Sequence, residues 1–387
     1  MKLLENGVLL DPEGDAPEPG SLLVDGDRIV ARLGPGDPGP EHAERVDLSG
    51  VRIAPGFLDL HDHGELIFAD PGDLRDALVR AAASSLRHGT TGFLATTVAW
   101  PPERLRDFVT QFGSIMTQWS EAGAEPLGLH LEGPWINGEA AGAQPSDGIR
   151  AFDPSEGEDL LARGGGLIRM VTLAPEVEGS DALLDTLRRR GVVASLGHSV
   201  AGEAEIDRAA DRGMTHVTHL FNAMGPIHQR EPGVPGRVLT DDRLSCDLIC
   251  DGVHVHPRMV RLAARAVADR LVLITDRIEP PERARAEGFG SGPVRDDGEA
   301  LRLADGRLAG STLRLDRAIR NACAFGAASL LEAVAACTVR PARVLGIEAE
   351  RGTLRPGSRA DLAILDETGD VAETWVGGQR VWSAQPG

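Results

Sequence analysis

A chain of 387 residues with 42% hydrophobic side chains holds enough apolar material for one large α/β barrel or two to three ordinary domains. Its 59 acidic residues outnumber its 40 basic ones for a net charge of −19, which argues against nucleic acid and anionic membranes as partners. Lys2 is the only lysine and tyrosine is absent, so Schiff-base lysines and tyrosine bases are excluded from the body of the chain.

In chain order, the first 54 residues read as short strands, "NGVLLDPEG" and "LLVDGDRIV", punctuated by NG and DG turns. Eight apolar runs follow: "FLDLH" (57–61), "GFLAT" (92–96), "LGLHLE" (127–132), "IRMVTL" (168–173), "VVASLG" (192–197), "HVTHLF" (216–221), "CDLIC" (246–250) and "LVLIT" (271–275). Segments with helical spacing such as "DLRDALVRAAASSLRHG" lie between most of them; the helix after the fourth run is expected to be short. Strands alternating with helices predict a parallel sheet, and eight is the number that closes a barrel. From about residue 347 the strand-and-turn texture returns in "ADLAIL" and "TWVGGQRVW", so both ends are expected to pair into one small β domain (1–54 with 347–387) beside a (β/α)8 catalytic barrel (55–346). The four cysteines form no CxxC pair or disulfide framework. No basic start leads into an apolar core and nowhere do ~18 apolar residues run together, which predicts a cytoplasmic protein without a membrane span.

Most of the eight runs end in, or lead into, a residue able to bind metal or move a proton: His61 with His63, Glu132, His198, His219, His254 and Asp276. In a barrel the C-terminal strand ends converge, so positions far apart in the chain meet in one pocket. His61 and His63 share a strand face because side chains at i and i+2 point the same way. An HxH pair alone is as consistent with two packed core histidines, and Glu132 or Asp276 alone with a loop cap; recurrence at strand ends favours metal. Imidazoles with carboxylates suit zinc, while iron, cobalt or manganese would accept the same donors, as one ion or two. Such an ion lowers the pKa of bound water to about 7 and polarises a carbonyl. His130 and His216 read as supporting or packing residues, and Asp62, His88 and His256 as structural or solvated.

Taken together, "PGFLDLHDHG", "HLEGPW", "VTLAPE", "SLGHS", "THLFNAM", "REPGVPG", "DGVHVHP", "LITD" and "GTLRPGSRADLAIL" resemble the N-acetylglucosamine-6-phosphate deacetylases of the amidohydrolase superfamily. The resemblance implies a metal-dependent (β/α)8 TIM barrel flanked by a β-sandwich built from both termini, in a homodimer. It implies that Glu132, His198 and His219 hold a primary ion, with His61 and His63 completing a second site. Asp276 would be the proton shuttle and His254 the group that polarises the substrate carbonyl. Asn222, Ala223 and Arg230 would receive a sugar phosphate, and Ala143 would line the substrate.

Three departures from the family pattern stand out. Glu65, Leu66, Ile67 and Phe68 replace a glycine-rich loop and are expected to bring bulk near the pocket; Gln144 replaces a histidine near the phosphate; Arg277 replaces a small residue after Asp276. Rival readings are an amidohydrolase acting on an unphosphorylated or epimeric N-acetyl amino sugar or on an N-acyl amino acid, and a catalytically silent barrel scaffold.

Overall fold

A computed structural model of the chain describes residues 1–70, 72–281, 293–298 and 300–384. All eight apolar runs fall wholly or partly on parallel strands: β1 (Phe57–Gly64), β2 (Thr90–Thr96), β3 (Glu125–Glu132), β4 (Ile168–Leu173), β5 (Val193–Leu196), β6 (Met214–Val217), β7 (Ser245–Ile249) and β8 (Leu271–Ile274). Each pairs with its sequence neighbour, from β1 through to β8. Beyond β8 the chain continues as the short strand Arg277–Ile278, which runs parallel to β1 with Arg277 opposite Asp62. Asp276 N–H donates to His61 O (2.9 Å) and Thr275 Oγ1 to Asp59 Oδ2 (2.6 Å), so the seam between last and first strands is held by hydrogen bonds.

These strands are apolar nearly end to end because helices cover their outer face and side chains fill the lumen. Every residue of β1 and β2 is buried. Helices lie between the strands with recognisable punctuation. Asp153 caps Pro154–Gly164 by accepting from Ser155 N and Glu156 N, with Pro154 at the first helical position. The helix after β4, expected to be short, is a full Ser180–Arg190 that buries Leu183, Leu184 and Leu187 and ends at Gly191 in the left-handed conformation.

The two termini join in one eight-stranded sheet with its own core, including Leu22, Ile53, Leu362 and Trp375. Lys2–Leu9 and Leu362–Leu365 both pair with Arg52–Pro55, so the two ends of the chain meet across a strand that leads straight into β1. No helix among the described residues is long and apolar enough to cross a membrane.

Candidate metal centre and active site

The lumen near the C-terminal strand ends is polar. His130 on β3 donates from Nδ1 to Leu60 O (3.0 Å), and its Nε2 meets Thr172 Oγ1 (2.7 Å), which continues to Thr218 and Ser195. Burial first, and then the neighbouring His61, hold the His130 pKa well below its ordinary value. A neutral His130 ring packs edge-on against His61, with centroids 4.7 Å apart.

Above this layer two groups of donors share Glu132. Oε1 of Glu132 lies 2.9 Å from Nε2 of both His198 and His219. Oε2 lies 3.3 Å from His63 Nε2 and 3.6 Å from His61 Nε2, and Asp276 Oδ1 stands 3.3 and 3.4 Å from the same two nitrogens. The donor atoms of each group, His61 with His63 and Glu132, and His198 with His219 and Glu132, lie within 4.8 Å of one another.

The hydrogen-bond pattern tests whether a cation fits. A backbone carbonyl only accepts, so the Nδ1 contacts of His198 to Ala140 O (2.9 Å) and of His63 to Thr96 O (3.2 Å) place a proton on Nδ1. The Nε2 lone pairs of these rings then face carboxylate oxygens and the Nε2 of His219 and of His61 respectively (3.1 Å each), an arrangement that needs positive charge. Burial opposes protonating His63, yet the bonds from Asp276 and Glu132 outweigh it and push its pKa up to about 10. A divalent ion supplies such charge to all the converging atoms at once, and the donor set fits one. Glu132 is held well below the usual carboxylate range: burial opposes its ionisation, but the charge of His61 and the bonds from His198 and His219 prevail. Burial opposes the ionisation of Asp276, but the charge of His61 and the bond and charge of His63 lower its pKa, so it is ionised at neutral pH.

His254 follows β7. Its Nδ1 lies 2.5 Å from Asp251 Oδ2, which fixes the ring, and its buried Nε2 has no partner among the described residues. A cleft of about 250 Å³ brings it together with His63, Glu132, His198, His219, Asp276, Ala143, Asn222 and Ala223.

Arg230 is exposed on the loop beyond Asn222 and Ala223 and does not line this cleft. Among the described residues the cation that does is Arg307, which no motif or spacing in the chain singles out; it pairs with Asp305 and donates to Gly142 O across the mouth. The bulk expected from Glu65 to Phe68 is directed elsewhere. Leu66 and Ile67 are buried in the core beneath the first barrel helix, Leu74–Leu86, and Glu65 pairs with Arg80 (2.8 Å). Gln144 is turned toward the candidate metal ligands and donates from Nε2 to Glu132 Oε2 (2.5 Å). Arg277 grips Asp62 through Nε (3.0 Å) and Nη2 (2.7 Å), and continues to Glu279 and Arg314.

A curled parallel barrel with histidines and carboxylates converging at its strand ends is the architecture of metal-dependent hydrolases. The pattern that defines the Amidohydrolase family matches residues 52–381. N-acetylglucosamine-6-phosphate deacetylase of Homo sapiens is 38% identical over 356 residues, covering 88% of this chain and 86% of that protein. N-acetylgalactosamine-6-phosphate deacetylase of Escherichia coli O157:H7 is 34% identical, over 84% and 87%. A mutant of the Mycobacterium smegmatis N-acetyl-D-glucosamine-6-phosphate deacetylase, solved in complex with N-acetyl-D-glucosamine-6-phosphate, superposes with a TM-score of 0.88 at 34% identity, covering 99% of each chain. The chain therefore belongs to the amidohydrolase family, in the group formed by these amino-sugar-phosphate deacetylases.

Proposed function

We propose that the protein removes the N-acetyl group of N-acetylglucosamine 6-phosphate by hydrolysis, giving glucosamine 6-phosphate and acetate. The observation that carries this reading is the convergence of Asp276, His254 and the shared Glu132 cluster in one cleft whose mouth presents Arg307. Glu132, His198 and His219 would hold a divalent ion, with His61 and His63 as ligands of a second. When bound, such an ion polarises the acyl carbonyl and lowers the pKa of water to about 7.

The remaining steps belong to side chains of this protein. Asp276 takes the proton of the attacking water and returns it to the departing nitrogen, so the amine leaves without negative charge. His254, whose Nδ1 is engaged by Asp251, would in its doubly protonated form donate from Nε2 to the acyl oxygen as charge gathers there. Because that nitrogen has no partner among the described residues, it is free to bond with substrate. Ala143, Asn222 and Ala223 line the sugar side of the cleft. The phosphate is received by Arg307 at the mouth and by Arg230 on the adjoining loop, since a guanidinium fork suits a phosphate dianion.

The imidazole-rich donor set favours zinc over harder metals. By family resemblance the working form is a cytoplasmic homodimer, which light scattering would read at about twice the 41.0 kDa chain. Acetate release from N-acetylglucosamine 6-phosphate, its galacto epimer and unphosphorylated N-acetylglucosamine tests the activity. Equal turnover of the phosphorylated and unphosphorylated sugars would overturn the phosphate assignment, and preference for the galacto epimer would replace the sugar named here.

A further inference from the structure

Gln144 is buried, and its two polar atoms have different partners. Ala99 N–H donates to Gln144 Oε1 (2.7 Å), which fixes the carbonyl end of the amide. The amide NH2 must therefore face Glu132, where Nε2 donates to Oε2 at 2.5 Å. Glu132 has two oxygens and the structure divides them. Oε1 belongs to His198 and His219, whereas Oε2 faces His61 and His63 and also carries the Gln144 bond.

We propose that Gln144 is a positioning residue that makes the two halves of the cluster unequal. It holds Oε1 toward an ion on His198 and His219 while engaging Oε2, the oxygen that an ion on His61 and His63 would need. The reasoning follows from the carboxylate. A hydrogen bond to one oxygen fixes the rotation of the group and so supports a cation at the other oxygen. The same bond uses a lone-pair direction of Oε2 and draws electron density from it, which weakens that oxygen as a ligand. Glutamine cannot relieve this by losing a proton. The protein therefore fills in order, with the His198 and His219 position first and the His61 and His63 position second and more weakly.

This inference rests on the metal reading of the cluster and not on the identity of the substrate, so its test uses metal binding alone. The full chain, stripped with a chelator, is titrated with zinc against a chromophoric chelator, and two dissociation constants are read. The wild type should bind one ion at least about tenfold more tightly than the other, the lower limit of what supporting contacts contribute to metal affinity. Gln144→Leu keeps bulk but lacks the donor; it should weaken the first ion, spare or tighten the second, and narrow the ratio by about tenfold. Gln144→Glu retains the acceptor for Ala99 N–H and adds negative charge beside Oε2, so it should tighten the second ion. Near-ultraviolet circular dichroism confirms that each variant is folded, and a misfolded Leu variant leaves the Glu variant to decide. Two equal constants in the wild type, or a ratio that stays the same or widens in the folded variants, would overturn the proposal. Failure to deacetylate any sugar would count against the proposed reaction and leave this result untouched.

Discussion

The candidate metal ligands and the candidate base Asp276 reach the cleft in two ways. His61, His63 and Glu132 lie within regular strands, and alternation aims them into the lumen. His198, His219 and Asp276 stand two residues past the ends of their strands. Their φ values are 49°, 36° and 48°, a left-handed conformation that costs a non-glycine residue about 1–3 kcal/mol. Phe221 and Ala223, in the loop after His219, share it at 79° and 52°. The contrast teaches that strand geometry gives pairs of parallel side chains, whereas bringing single ligands from different strands to one point requires sharp turns that the surrounding fold must hold.

The strongest way to break this contrast is to remove a turn-borne ligand. His198→Ala should strip the tighter ion and lower kcat/KM by about 10⁴-fold, the several kcal/mol that a catalytic metal contributes. His61→Ala, removing a strand-borne ligand, should still bind one ion per chain. Elemental analysis beside turnover distinguishes the two, and full metal content in His198→Ala would refute the ligand assignment. Next in size is Asp276→Asn, which should lower kcat about 10³-fold in a protein that folds and binds metal normally. Near-normal turnover would remove Asp276 from the proton path.

Arg277 joins the two kinds of position, since it follows Asp276 and grips Asp62, which lies between His61 and His63 on the outward face of β1. Both side chains are buried. Arg277→Leu leaves the Asp62 charge without its partner and should cost about 3–5 kcal/mol in chemical denaturation, whereas Asp62→Val with Arg277→Leu should recover most of that loss. A loss under about 1 kcal/mol in the single variant, the range of exposed ion pairs, would mean that the pair contributes no more than a surface contact.

At the mouth, Arg307→Ala should lower kcat/KM about 10- to 100-fold for a phosphorylated sugar and leave the unphosphorylated sugar unchanged. Arg230→Ala in parallel shows how far the exposed loop shares the phosphate. The smallest effect is expected outside the site. Ala268 has φ 47° at the end of helix Pro257–Val267, so Ala268→Gly should raise stability by about 1 kcal/mol, read as a shift in melting temperature.

Much of this was legible in the sequence because it depends on periodicity. Eight apolar runs became eight barrel strands, and the two-residue spacing of His61 and His63 set their common face. The left-handed turns at His198 and His219 were not, because φ is set by the neighbouring strands and loops. Gly197 marks a turn before His198 without saying where the next side chain will point. Order along the chain does not give distance in space. Arg230 follows the cleft-lining Asn222 and Ala223 by only a few residues yet lies exposed, while Arg307 reaches Gly142 from 165 positions away. Leu66 and Ile67 looked like pocket bulk, but their apolar surface is better removed from water in the core.

The pairing of Arg52–Pro55 with Leu362–Leu365 has a consequence for synthesis. At roughly 5–20 residues per second, the ribosome takes on the order of 15–60 s to make the ~300 residues between them. Throughout that interval the first strands have emerged while one edge of Arg52–Pro55 waits for a partner not yet translated. Newly made chains thus pass through a stage at which a neighbouring polysome could offer a competing strand, and slow elongation through the barrel would lengthen that exposure.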